Sequence, residues 1–163
     1  MTAKPSSNTA RDHYAAIGYV ASAWGAFEQV LQRELWELAG IDSVVGACLT
    51  ANIGISGRFL DAIAALCCYR GADEKMMKPL NKLINASGDL SRQRNRAVHD
   101  AWGFSEETDL PYRLEISAAK KLVIGAVDVS PQDLNALAQK MLDHTVKFEN
   151  SMRAMKRKLA SLP

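Results

Sequence analysis

The 163-residue chain reads as an all-α protein, a four-helix up-and-down bundle with a small β-hairpin inserted before the last helix. Three observations predict this. Apolar residues recur at spacings of three and four over long stretches, the period of amphipathic helices. Gly40 and Gly71 stand where two of these stretches stop, as helix C-termini favour. The strand-like alternation at about 112–129 is followed at once by Ser130-Pro131-Gln132-Asp133, a helix-opening sequence.

Composition bounds the chain before any motif is read. Apolar residues at 48% against 23% charged describe a globular chain that can bury a core. One domain is expected over residues 10–163, after a disordered lead at 1–9 that carries Pro5, Ser6, Ser7 and Asn8. The net charge of +2 leaves nucleic-acid binding to a local patch rather than to overall basicity. Cys48, Cys67 and Cys68 are odd in number and two are adjacent, which argues for buried reduced thiols rather than a disulfide framework. No Cys/His spacing matches a zinc site, so neither a metal nor another cofactor is expected. The polar start lacks the apolar region of a secretory signal, and no uninterrupted apolar run is long enough to span a membrane. A cytoplasmic location with no membrane partner is the expectation.

The first helix is expected from about Ala10 to Ala39, with a seam of Ile17, Ala21, Trp24, Glu28, Leu31, Leu35 and Leu38. Glu28 stands where the spacing asks for an apolar side chain. A buried carboxylate is costly unless paired, so a cationic partner is expected, with Arg58 and Arg94 as candidates. The alternative is that Glu28 lies at the seam's edge and reaches water. The second helix opens after Asp42 or Ser43 and runs to about Arg70. It is apolar around much of its circumference, which suits a bundle centre or a second subunit. Gly54 and Gly57 weaken it by roughly 1 kcal/mol each against Ala.

The third helix starts near Asp73-Glu74 and meets Ser87-Gly88-Asp89, readable as a kink or as a fresh N-cap. If it is continuous, Leu80, Ile84, Ser87, Ser91, Arg94, Val98 and Ala101 share one face, with Arg94 pointing inward and His99 at its margin. Tyr112 to Ile116 and Leu122 to Val129 form the hairpin, turning at Ala118-Ala119-Lys120-Lys121. Ser130 caps the last helix, Pro131 takes its first position, and Asp133 stands at the capping-box position. Its seam is Leu134, Ala138, Met141, Thr145, Phe148, Met152, Met155, Leu159 and Leu162, and its end carries Arg153, Lys156, Arg157 and Lys158. His13 and His144 have no neighbouring ligand types and read as ordinary polar positions.

The chemistry concentrates in Ser91-Arg92-Gln93-Arg94-Asn95-Arg96-Ala97-Val98-His99. On a helix, Arg92, Asn95, Arg96 and His99 fall on one polar stripe. Arg94 lies on another side, five residues before His99, and its long side chain can reach across. An imidazole can move a proton and a guanidinium can steady charge on phosphoryl oxygens, so the pair suits a phosphodiester. The competing reading is a solvated basic face.

Four helices with an Arg-Asn-x-x-x-His run near the end of the third resemble the HEPN superfamily. Here the run is Arg94-Asn95-Arg96-Ala97-Val98-His99, followed by Asp100-Ala101-Trp102. Trp24-Gly25-Ala26-Phe27-Glu28 and Ser56-x-Arg58-Phe59 also look like the first two helices of bacterial members. The resemblance implies a homodimer with both motifs in a shared cleft, and a metal-independent endoribonuclease or RNA-binding protein of toxin–antitoxin, phage-defence or RNA-processing systems. It implies RNA as substrate and an antitoxin or other protein as partner. It casts His99 as general acid or base, Arg94 as stabiliser of phosphorane-like charge, and Asn95 as the residue that orients His99 or holds a phosphate. It gives Arg92 and Arg96 to phosphate attraction, with Glu28 and Arg58 as structural support. Its alternative is a non-catalytic dimeric scaffold or nucleotide-binding module acting through a partner protein. Asp100 departs from the pattern, since a small residue often follows the His; its carboxylate bears on the charge of that site.

Overall fold

The computed structural model describes residues 7–51, 56–117 and 122–162. In chain order it contains α1 (Ser7–Ala39), α2 (Ser43–Thr50), α3 (Ser56–Tyr69), α4 (Glu74–His99), β1 (Trp102–Phe104), β2 (Pro111–Ser117), β3 (Val123–Asp128) and α5 (Pro131–Ala160). The predicted helical fold is present. It has five helices among the described residues rather than four, and a three-stranded antiparallel sheet of order β1-β2-β3 in place of a lone hairpin. The described residues cluster into two compact units, one holding those up to Trp24 with those of Ser91–Lys140, the other those of Gly25–Leu90 with those from Met141 onward.

The helix boundaries follow local chemistry. α1 begins at Ser7 rather than Ala10, and residues 1–6 of the expected lead lie outside the described residues. Gly40 takes φ +70°, and Ile41 N–H donates to Trp36 O, closing α1 in the left-handed cap that glycine allows. Gly71 does the same for α3 at φ +95°, with Ala72 N–H on Cys67 O. Asp42, rather than Ser43, caps α2, accepting from the N–H groups of Val44 and Val45. The single helix expected from 43 to 70 is two among the described residues, α2 and α3. Ile53, Gly54 and Ile55 of that expectation lie outside the described residues. α4 runs unbroken through Ser87-Gly88-Asp89, so the triplet is neither an N-cap nor a helix end. At α5, Ser130 and Asp133 form the expected capping box: Asp133 N–H donates to Ser130 Oγ, and Ser130 N–H donates to Asp133 Oδ2.

In the second unit the core is Phe27, Leu31, Leu38, Phe59, Leu60, Ile63, Cys67, Leu80, Met141, Phe148 and Met152. The α5 seam is buried from Leu134 to Met155 as its spacing predicts, whereas Leu159 is half-buried and Leu162 exposed. The α1 seam is rotated. Trp24, Leu31 and Leu38 are buried, but Val20, Ala23, Phe27, Val30 and Glu34 join them, while Ile17, Ala21, Glu28 and Leu35 are half-buried. The carboxylate buried in the seam is therefore Glu34, and Lys156 Nζ sits 2.8 Å from its Oε2. Lys156 also donates to Glu37, so this member of the basic cluster neutralises the protein's own acids. On α2, Val44, Val45 and Leu49 are exposed rather than packed at a bundle centre. Of the thiols, only Cys67 is buried; all three are free, and Cys48 and Cys68 face solvent, against the expectation of three buried thiols. Burial pushes the Cys67 thiol up to about 11.

In the first unit the sheet carries the third strand that the sequence reading missed. Gly103 pairs with Tyr112, and a Cβ at Gly103 would come within 2.4 Å of that ring, which is why glycine stands there. The hairpin turn at 118–121 lies outside the described residues. The alternation of β2 is present but the covered face differs from expectation: Leu114 and Ile116 are exposed, whereas Arg113 and Glu115 are half-buried.

His13 and His144 are core residues, not ordinary polar positions. His13 stacks edge-on against Trp102 at 4.4 Å and Phe104 at 5.6 Å. Ser87 Oγ donates its one proton to Leu83 O, so His144 Nε2, 2.8 Å away, must donate to that oxygen. Burial lowers the pKa of both rings, and Lys147 adds to the effect at His144. Each folded pKa lies below the ordinary 6.5, so the unfolded chain binds more protons as pH falls past that value. The stability these rings confer is whole above about pH 6.5 and is lost as pH falls through the folded values. Denaturant midpoints measured from pH 7.5 down to 5 should fall, and His13→Phe with His144→Gln should flatten the slope. An unchanged slope in the double variant would refute this assignment.

Candidate active site

The last turns of α4 hold every residue of the predicted motif. Arg94 Nη1 lies 3.0 Å from His99 Nε2 and donates, also at 3.0 Å, to Asn95 Oδ1. The five-residue gap that separates Arg94 from His99 on the helix is bridged by the length of the arginine. A guanidinium has donors only, so Nε2 is the acceptor in this contact. Asn95 touches the guanidinium rather than the imidazole. His99 and Asn95 are exposed and Arg94 is half-buried, with its Nε buried and without a hydrogen-bond partner among the described residues.

Arg92 and Arg96 are exposed on α4 and line a cavity with Arg113, Trp102 and the start of α5. Arg96 donates to Glu115 through Nη1. Asp100 lies 3.4 Å from Arg113 Nε, so its charge is engaged by a cation of β2. Trp102 Nε1 donates to Ala97 O at 3.0 Å and ties the start of the sheet to the end of α4. Arg94, Asn95, Arg96 and His99 therefore sit on a helix end braced by β1 and β2.

Glu28 is half-buried and Arg58 exposed; both belong to the second unit, whereas Arg94 belongs to the first. Among the described residues, no group of three or more His, Cys, Asp or Glu is placed to hold a metal ion, and no helix is long and apolar enough to cross a membrane. Sequence reasoning quoted Trp102 beside the motif but missed Arg113 as its neighbour. The chain matches no family model, no curated protein and no solved structure.

Proposed function

We propose that the chain is a metal-independent endoribonuclease of HEPN type, acting as a homodimer in a toxin or defence setting. The observation that supports this reading is the Arg94–His99 contact: an exposed imidazole with its Nε2 lone pair held by a guanidinium. An RNA phosphate entering here takes the guanidinium's donors and frees Nε2. His99 then accepts the proton of the adjacent 2′-hydroxyl as that oxygen attacks phosphorus. The 2′-oxygen–phosphorus bond forms and the bond to the 5′-oxygen breaks. The leaving 5′-oxygen takes a proton from water and His99 returns its proton to the solvent, so the products carry a 2′,3′-cyclic phosphate and a 5′-hydroxyl. Arg94 balances the charge on the equatorial oxygens at its peak. Asn95 is a positioning residue acting through Arg94, and Arg92 and Arg96 draw the strand in by charge.

The test is cleavage of a mixed RNA pool in chelator, comparing wild type with a folded His99→Ala variant. Wild-type cleavage that leaves cyclic-phosphate ends and disappears in the variant is the expected result. Equal cleavage by both proteins, or none by either against a broad RNA pool, would overturn the reading and leave the Arg–His pair as a binding element.

A further inference from the structure

The first unit contains a cavity of about 430 Å³ bounded by α4, the sheet and the start of α5. That volume falls within the roughly 300–1,000 Å³ typical of small-molecule sites. Its lining combines two chemistries: the arginines Arg92, Arg96 and Arg113, and the apolar Leu134, Leu137 and Trp102. Trp102 and Arg113 are directly paired across β1 and β2, which places both side chains on one face of the sheet.

Arg113 is the unusual member. Its side chain is 15% exposed. Its Nε is buried with no hydrogen bond among the described residues, Asp100 lying near it at 3.4 Å as an ion pair only. So buried an atom does not meet a ligand, and the terminal guanidinium nitrogens of Arg113 are its donors toward the cavity. Glu115 and Asp100 lie outside the lining, offset part of its charge and tether two guanidiniums. Trp102 spends its only donor on Ala97 O, so to a ligand it offers a ring and nothing else. His13 packs at 4.4 Å and steadies that ring. The lining itself carries three guanidiniums against the one carboxylate of Asp133, whose Oδ2 is already taken by Ser130. Guanidinium forks from two elements suit the three terminal oxygens of a phosphate monoester better than the two of a diester.

We propose that this cavity binds a phosphomonoester carried on a flat apolar body, with the phosphate on Arg92, Arg96 and Arg113 and the body against Trp102. Two sources share that chemistry: a free nucleoside 5′-monophosphate, and the 5′-phosphorylated end of an RNA strand. The second rests on the ribonuclease reading above; the first does not.

The experiment is calorimetric titration of the full chain with the four common nucleoside 5′-monophosphates, with their nucleosides, and with inorganic phosphate. A short 2′-O-methyl oligoribonucleotide, with and without a 5′-phosphate, forms the second arm. Saturable binding is expected for the monophosphate ligands, at least about tenfold tighter than for nucleoside or phosphate alone. Arg113→Gln should weaken it by about tenfold or more. Leu137→Trp fills the cavity without changing its charge and should abolish binding, which decides the matter if Arg113→Gln does not fold. Preference for the phosphorylated oligonucleotide over every mononucleotide identifies the RNA end; the reverse identifies the free nucleotide. The proposal is overturned if neither class binds saturably, or if binding survives both folded variants. RNA cleavage without phosphomonoester binding removes this site and spares the ribonuclease, and binding without cleavage does the reverse.

Discussion

Arg94→Ala is expected to lower the rate of RNA cleavage about 10²–10³-fold, with a much smaller change in KM. One nitrogen of Arg94 serves both Asn95 Oδ1 and His99 Nε2, so under the proposed mechanism truncation removes the charge that would meet the phosphorane and also frees the imidazole to rotate. The two losses are separable. Arg94→Lys keeps the positive charge but replaces a planar fork with a point donor. It should recover part of the lost rate, about tenfold, because charge stabilisation returns while the two-point anchorage does not. Asn95→Ala acts only through Arg94 and should cost less than either. Single-turnover rates on one defined RNA would measure the series. Arg94→Ala cleaving at the wild-type rate would remove the guanidinium from the transition state. Arg94→Lys restoring the full rate would show that charge alone matters and that the anchorage to Asn95 and His99 is incidental.

The readable part of this protein is local. Arg94, Asn95 and His99 lie within two turns of one helix, so their contact follows from helical geometry and the reach of arginine. The caps at Gly40, Gly71 and Ser130 are local too, and each stands where its residue type predicts. The α5 stripe from Leu134 to Met155 was legible because every member is apolar or small and the spacing never slips. The α1 stripe failed differently. A helix of 33 residues with a wide buried face has two neighbouring seams of similar apolarity. The spacing ran through Glu28, whereas packing follows Val20, Phe27 and Glu34. β1 has three residues, too few for alternation to register, and it exists because β2 offers it an edge at Gly103↔Tyr112. The cavity was not legible because Arg113, Trp102 and Leu137 come from three elements, joined by strand register rather than by spacing.

Lys156→Met should destabilise the second unit by about 2–4 kcal/mol, because it strands the Glu34 carboxylate in the core. Glu34 is 4% exposed, and Lys156 is the cation that meets it, 2.8 Å away. Lys156 is itself 30% exposed, so water can reach part of the site and keep the loss below that of a fully enclosed pair. The same physics predicts that the pair is dispensable as a pair. Glu34→Leu alone removes the buried charge, leaves Lys156 its contact with Glu37, and should cost less than Lys156→Met. The double variant Glu34→Leu with Lys156→Met replaces the ion pair with apolar volume and should lie near the wild type. Urea unfolding of the four proteins at pH 7 closes the cycle. A large positive coupling between the two substitutions is expected: the second rescues the first. Additive losses would mean that Glu34 is satisfied by something other than Lys156, and that the helix contacts around it, not the charge, set the stability of this end of α1 and α5.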